Sequence, residues 1–175
     1  MSAFISMKFR LCQTCEPACP VSESNFVHTR RRNALVPWLI ALVFMLIAQE
    51  ARACIINVTG VNFGSYDVFS NVALDSAGNI DINCHVGVGY NITLSAGNGT
   101  YEQRVMGSGA HSLNYNLFNT ANRTLVLGDA TNGSVAVNGS GTGDAINHVV
   151  YGRIPPHQNV PAGSYSDTIT VLITF

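Results

Sequence analysis

The strongest constraint on the fold is a two-residue alternation of apolar and polar side chains through residues 54–175. Tyr90, Ile92 and Leu94 alternate with polar neighbours, and residues 80–84 and 113–117 repeat the pattern. Because successive side chains of a strand point to opposite faces, each run predicts a half-buried β-strand. The most regular run ends the sequence, and its apolar positions are Ile169, Val171, Ile173 and Phe175.

Turn-forming sequences separate these runs. Residues 75–79, 97–99, 107–109 and 155–156 are rich in Gly, Pro, Asn, Asp or Ser and predict turns. Residues 128–144, rich in Gly, Asn and Ser, predict a polar hairpin or loop. Nothing in 54–175 has the period of an amphipathic helix. Short strands at this spacing predict an all-β fold, an immunoglobulin-like β-sandwich.

Residues 30–53 predict a cleaved secretory signal peptide. Three arginines at 30–32 precede an apolar run at 34–48, and 51–53 have the small-x-small form of a signal-peptidase site. The apolar run is about 15 residues long and contains Pro37, whereas a bilayer-spanning helix takes about 20. A retained membrane anchor and a lipid-modified Cys54 are the alternatives.

The sequence divides into three segments: 1–29, 30–53 and 54–175. Residues 1–29 precede the signal peptide without a hydrophobic pattern of their own, and we interpret them as an extension arising from an over-extended start site. They hold Cys12, Cys15 and Cys19, with His28 beyond. Zinc needs four ligands held by a fold, so incidental sequence is preferred to a metal site.

Charge argues against nucleic-acid binding. The chain has 9 basic and 10 acidic residues, and 54–175 contains three arginines, seven acids and no lysine. A nucleic-acid-binding domain usually presents a basic face to the phosphates. We therefore predict no nucleic-acid partner.

Two cysteines remain after the predicted cleavage, Cys54 and Cys84. An exported domain is oxidised, so an even cysteine count favours a disulfide. Closing a loop of about 30 residues would contribute roughly 3 to 4 kcal/mol on the chain-entropy model. The alternative, a reactive or metal-binding pair, would have only His85 as a nearby partner.

The sequence contains no recognisable catalytic or nucleotide-binding motif. The histidines of 54–175 are isolated, and the two aspartates that flank the Gly-rich segment lack EF-hand spacing. We predict a non-enzymatic protein with no metal, no cofactor and no small-molecule substrate. The residues considered were His85, His111, His148, His157, Asp129 and Asp144.

Several motifs in 54–175 closely resemble the spore coat protein U domain family. They read VNFGSYD at 61–67, IDINC at 80–84, LNYNLF at 113–118, VYGRIP at 150–155 and VPAGSYSDT at 160–168. The positions that carry the resemblance are Phe63, Gly64, Tyr66, Tyr115, Asn116, Tyr151, Gly152, Arg153, Pro161, Gly163, Tyr165 and Asp167.

The resemblance implies a subunit of an archaic, Csu-type chaperone-usher pilus that serves surface attachment and biofilm formation in Gram-negative bacteria. Such subunits are incomplete sandwiches that lack their final strand. A periplasmic chaperone, and later the N-terminal extension of a neighbouring subunit, supplies a donor strand, and an outer-membrane usher handles assembly. Carried onto this sequence, the groove edge is the run Ile169, Val171, Ile173 and Phe175, after which nothing follows to cover the open side of the strand.

The resemblance also raises the question of position in the fibre. Cleavage after Ala53 leaves Cys54 first, and cleavage after Ala48 adds only five mostly polar residues. We therefore predict a subunit that accepts a donor strand without giving one, located at the pilus tip. The alternatives are a self-complete secreted or surface-coat β-sandwich and an outer-membrane β-barrel, which a C-terminal Phe on an alternating strand also fits.

Overall fold

The computed structural model describes the backbone of residues 3–13 and all of residues 54–175. The predicted signal peptide at 30–53, together with Cys15, Cys19 and His28, lies outside these residues. Residues 3–13 and 54–175 form ten strands: β1 (Ala3–Gln13), β2 (Cys54–Thr59), β3 (Asn62–Tyr66), β4 (Leu74–Cys84), β5 (Gly89–Leu94), β6 (Arg104–Ser108), β7 (His111–Phe118), β8 (Val137–Ser140), β9 (Ala145–Ile154) and β10 (Ser164–Thr174).

The strands form two layers that share β7. One layer has the order β2-β4-β9-β7, and all of its neighbours are antiparallel. The other contains β8-β5-β10-β1-β3, with β6 beside the start of β10. The first part of β7 pairs with β6 and its last three residues pair with β9, so this strand passes from one layer to the other. The predicted all-β, immunoglobulin-like class is confirmed.

Alternating burial confirms the predicted strands. In β10 the odd-numbered residues from Tyr165 to Ile173 are buried, while the even-numbered ones are exposed apart from the half-buried Leu172. Ile80, Ile82 and Cys84 of β4 face them from the other layer as part of one hydrophobic core. Burying an aliphatic side chain of this size contributes about 1.5 to 3 kcal/mol, so the alternation fixes which face of each strand points inward.

The turn predicted at 75–79 is wrong, because these residues lie within β4. They pair in continuous register with β9, and Asp75 accepts two hydrogen bonds from Arg153, at 2.7 and 2.8 Å. Gly78 is required by close packing: a Cβ there would lie 2.5 Å from the carbonyl oxygen of Thr59. Long-range pairing therefore overrides the local turn preference of this sequence.

The loop predicted at 128–144 is only partly correct. Residues 137–140 form β8, which pairs with β5, and Leu127 bridges to Val135. Ser134 is buried, and its hydroxyl donates to the carbonyl oxygen of Thr131 at 2.7 Å. The polar composition of the segment therefore coexists with a short edge strand.

The predicted disulfide joins Cys54 to Cys84. The two residues stand opposite each other in the β2–β4 pairing, so the bond ties the first residue of β2 to the last residue of β4. No membrane-spanning helix is found in the part of the chain that the structure describes.

Candidate strand-binding groove

The candidate site is the space between β10 and β3. On one side β10 pairs with β6 at its start and with β5 at its end. Within residues 54–175, no strand pairs with its other side or links it to β3. The groove between these two strands is occupied by β1, which runs parallel to β10 over ten residue pairs and antiparallel to β3 over four.

The orientation of the peptide groups explains why this edge of β10 accepts a strand. The N–H and carbonyl of Thr170 bond to Ser95, on the β5 side, each at 2.9 Å. Peptide groups alternate in direction along a strand, so those of odd-numbered residues from 165 to 173 point into the groove. The side chains of the same residues face the core. A strand laid in the groove therefore finds a complete row of donors and acceptors beside a buried apolar surface.

Three of the predicted groove residues lie where the alternation places them. Ile169, Val171 and Ile173 are fully buried on β10. Phe175 lies one residue beyond the end of the strand and is 43% exposed. The structure therefore brings the first three together and leaves Phe175 at the mouth of the groove.

The sequence led us to expect only that nothing after Phe175 covers β10. In the structure, β1 from the N-terminal segment lies beside β10. This segment was predicted to have no hydrophobic pattern of its own. Its sequence nevertheless alternates: Ile5, Met7, Phe9 and Leu11 are apolar, and the residues between them are polar or charged. A count of period-two positions before the signal peptide would have found this strand.

The opposite wall of the groove is shaped by a glycine. The pairing of β3 with β1 shifts register between Ile5 and Ser6, a β-bulge. Gly64 stands opposite Ile5 and has a φ of 72°. Its backbone N–H donates a hydrogen bond to Oδ1 of Asn62 at 3.0 Å. Only glycine adopts this backbone conformation without steric cost, so its place in the family motif has a physical reason.

A polar cluster lies behind the start of the groove. The buried carboxylate of Asp167 accepts hydrogen bonds from the Tyr115 hydroxyl at 2.6 Å and from the backbone N–H of Asn98 at 3.2 Å. Burial and this hydrogen bond raise the pKa of Tyr115, so the phenol remains a donor. Such a bond to a charged acceptor is worth about 1.5 to 3 kcal/mol.

Arg104 is fully buried beside this cluster, which the sequence did not predict. Its guanidinium donates to the carbonyl oxygens of Ser95 and Leu127 and to Oδ1 of Asn116, at 2.9, 2.7 and 2.7 Å. Desolvation lowers its pKa, and neighbouring Tyr115 and other acidic groups oppose that effect. The arginine thus ties the 95–103 loop, β7 and the segment before β8 together.

The remaining motif positions support the frame of the groove. The Tyr66 hydroxyl donates to the carbonyl oxygen of Pro155 at 3.0 Å, and that of Tyr165 donates to Pro161 at 2.9 Å, four residues earlier. Phe63 packs edge-on against Tyr115 at 6.2 Å. Three further positions lie nearby: Tyr151 next to Arg123, Gly152 under Phe63, and Gly163 beside Ser108.

The histidines and aspartates considered for chemistry do not assemble into a reactive site. Within residues 54–175, no group of three or more His, Cys, Asp or Glu side chains is placed to hold a metal ion. His148 instead bonds to the Tyr90 hydroxyl at 2.9 Å, and Asp129 accepts from the hydroxyl of Thr131 at 2.6 Å. These contacts stabilise local structure.

The fold and the groove define an all-β sandwich of immunoglobulin-like class whose sheet is completed by a strand from outside the segment 54–175. The model of the Spore Coat Protein U domain family matches residues 40–172. The chain belongs to this family.

Known proteins that are similar to it include one relative in sequence and one solved structure. Protein U of Myxococcus xanthus is 32% identical over 131 residues, covering 66% of this chain and 71% of that protein. The second is the crystal structure of the CsuC-CsuE chaperone-tip adhesion subunit pre-assembly complex, from the archaic chaperone-usher Csu pili of Acinetobacter baumannii. One of its chains matches with a TM-score of 0.51 and 22% identity, over 70% of this chain. This chain spans 40% of the length of that chain, so the likeness concerns the fold.

Proposed function

We propose that this protein is an exported, non-enzymatic structural subunit of a chaperone-usher pilus, assembled by donor-strand complementation. Its place of action is the surface of a Gram-negative bacterium, reached through the periplasm. The observation that carries the proposal is the groove side of β10, which no strand of residues 54–175 pairs with. Family membership and the fold shared with the Csu complex support it.

The groove is suited to β-augmentation. Backbone hydrogen bonds along the odd-numbered residues of β10 provide affinity, and alternate side chains of the incoming strand enter the core side. An unpaired edge of this length promotes aggregation. A subunit with such an edge needs a partner that covers it before assembly, and the partners we propose are a periplasmic chaperone, the outer-membrane usher and neighbouring subunits.

The test is periplasmic expression with and without a periplasmic pilus chaperone of the cognate type. We expect aggregation or degradation without the chaperone, and a one-to-one complex beginning at Cys54 with it, as seen by size-exclusion chromatography and N-terminal sequencing. A stable lone monomer that begins at Cys54 would contradict the proposal, because it would show that residues 54–175 close the sandwich themselves.

Two substitutions on β10 sharpen this test. Val171→Asp introduces a carboxylate on the buried face, and Thr170→Asp introduces it on the exposed face next to it. We expect the first to lose the chaperone complex and the second to retain it. Hydrogen exchange of the wild-type complex gives an independent measurement: the amides of the odd-numbered residues 165–173 should be protected by the chaperone.

We further propose a role in attachment and biofilm formation at the pilus tip. The tip position rests on the predicted cleavage after Ala53, which leaves no donor segment before Cys54. Cleavage after Ala48 would leave only residues 49–53, which are too few and too polar to donate a strand to the next subunit. Appending a working donor strand before Cys54 should then let the subunit be incorporated along the shaft. Unchanged incorporation, measured by immunogold labelling, would contradict a terminal position.

The attachment role has support in the loop between β3 and β4. Phe69 and Val72 are 87% and 73% exposed there, and large apolar side chains exposed close together often mark a contact surface. Replacing both with serine should reduce adhesion of piliated cells. Val86→Ser, at the opposite end of β4 and 68% exposed, is the matched control and should leave adhesion unchanged.

A further inference from the structure

The N-terminal segment, which the sequence led us to interpret as an over-extended start, forms a paired strand that the proposed function does not use. β1 fills the groove between β10 and β3, and it belongs to the same compact unit as residues 53–175. We propose that, in the uncleaved chain, residues 3–13 are an intramolecular complementing strand that closes the groove against strands from other proteins.

The register supports a specific fit. Positions 5, 7, 9 and 11 stand opposite 165, 167, 169 and 171, whose side chains face the core. In the sequence, these four positions of β1 are Ile, Met, Phe and Leu, and the three positions between them are Ser, Lys and Arg. A shift by one residue would bring the polar set opposite the buried positions, so the alternation specifies the observed register.

The positions of the end of β1 and the start of β2 allow β1 to fill the groove of its own chain. Gln13 pairs with Ile173, and β5 brings Asn91 opposite Thr174 at the same end of β10. Only four residues separate β5 from Cys84, the disulfide partner of Cys54. Gln13 and Cys54 therefore lie at the same end of the sandwich. The 40 residues between them in the sequence are long enough to span the distance between these two residues.

Covalent tethering favours this strand over a competitor. A tethered segment acts at an effective concentration that reaches the millimolar range for short flexible links and falls as the link lengthens. Cleavage after Ala53 would remove the tether without changing any residue of the groove. The same groove is thus closed in the uncleaved chain and open to an incoming strand in the processed chain.

A cysteine already present in β1 provides the test. Cys12 stands opposite Leu172, so Leu172→Cys places two cysteines at paired positions on adjacent strands. Paired residues of neighbouring strands lie about 5 Å apart, within the Cα range of disulfides. We use the full chain with Cys15→Ser and Cys19→Ser. The matched control is Thr168→Cys, on the same face but four residues, or about 13 Å, along the strand.

We expect oxidation to link Cys12 to the new cysteine at 172 within one chain, at least tenfold more efficiently than to that at 168. Peptide mapping identifies the bond, and a non-reducing gel shows whether it joins one chain or two. Equal linkage at the two positions would overturn the register. Linkage found only between two chains would overturn the intramolecular strand.

Charge substitutions in β1 give a second measurement in the full chain. Phe9 stands opposite the buried Ile169, and Lys8 stands opposite the exposed Thr168. Phe9→Asp should lower the melting temperature by about 4 °C or more, while Lys8→Asp should change it little. Equal shifts would overturn the proposal, because a strand in this register must distinguish odd from even positions.

These results are separable from the proposed function. A chain that forms the chaperone complex but no link from Cys12 to position 172 would refute self-complementation and leave the pilus role intact. A chain that forms the link, but whose processed form is a stable lone monomer, would support self-complementation and refute the proposed pilus role.

Discussion

At the scale of single residues, the interior departs from an all-apolar core at Arg104 and Asp167. Both are buried, and the structure provides each with hydrogen-bond partners from loops as well as strands. A buried charged group holds its partners in fixed positions more strictly than an apolar contact does. The reason is that a small displacement leaves buried donors or acceptors without a hydrogen bond, which costs free energy. The cluster therefore fixes the 95–103 loop against the start of the groove.

Lysine cannot reproduce this arrangement. Arg104→Lys keeps the charge but loses the planar fork that reaches Ser95, Leu127 and Asn116 together. We expect a loss of about 2 to 3 kcal/mol in the free energy of unfolding, measured in urea. Arg153→Lys, in an exposed pair with Asp75, is the control and should cost about 1 kcal/mol or less. Similar losses at both positions would contradict the structural role assigned to Arg104.

His148 predicts a pH dependence. Burial lowers the pKa of this half-buried side chain below the ordinary histidine value of 6.5. The unfolded chain then binds a proton more readily than the folded chain, so this contribution to stability is complete above pH 6.5 and is lost as the pH falls through the lower, folded pKa. His148→Gln should remove that part of the pH dependence, seen by comparing unfolding free energies at pH 8 and pH 5. A His148→Gln variant whose stability falls with pH as steeply as that of the wild-type protein would contradict the assignment.

At the scale of elements, the sequence predicted the strands whose alternation is undisturbed. The runs at 80–84, 90–94, 113–117 and 169–173 lie in β4, β5, β7 and β10. The turn predicted at 75–79 is wrong for a physical reason. Gly78 is needed because the backbone at Thr59 packs closely against it, and not because the chain turns there. Of the groove, its apolar edge on β10 was predictable. The bulge at Gly64 and the buried Arg104 depend on contacts between distant segments and were not.

Close packing between layers makes one strand glycine sensitive. A Cβ on Gly152 of β9 would lie 2.6 Å from the ring of Phe63 and 2.9 Å from Val61. Gly152→Ala should therefore lower the free energy of unfolding by about 1 to 3 kcal/mol through overpacking. Gly107→Ala in β6 meets nothing within 4 Å and is the control. Chemical denaturation of both variants checks the difference, and comparable stabilities would contradict the tight contact.

At the scale of the whole molecule, pairing is mostly between distant segments. Except for the β6–β7 hairpin and the β2–β4 pair, neighbours come from well-separated parts of the sequence. Local patterns identify strands but not their partners, which is why the sequence alone established the class and not the order. Such topologies fold in milliseconds to seconds, and their edges stay exposed meanwhile.

The disulfide stabilises the protein mainly by restricting the conformations of the unfolded chain. Its cysteines are 30 residues apart, and removing the loop constraint should cost about 3 to 4 kcal/mol. We expect the Cys54→Ser/Cys84→Ser variant to unfold at a correspondingly lower urea concentration than the wild-type protein. An unchanged midpoint in the double variant would show that the bond adds nothing to stability.

The same bond determines how the domain carries mechanical load. A pull applied at Cys54 passes through the sulfur atoms to Cys84 and enters β4, which is paired on both sides by β2 and β9. Without the bond, tension would peel β2 from the edge of its sheet one hydrogen bond at a time. With it, the force reaches the interior of the layer and bypasses the edge strand β2, so the domain resists extension from its N-terminal end.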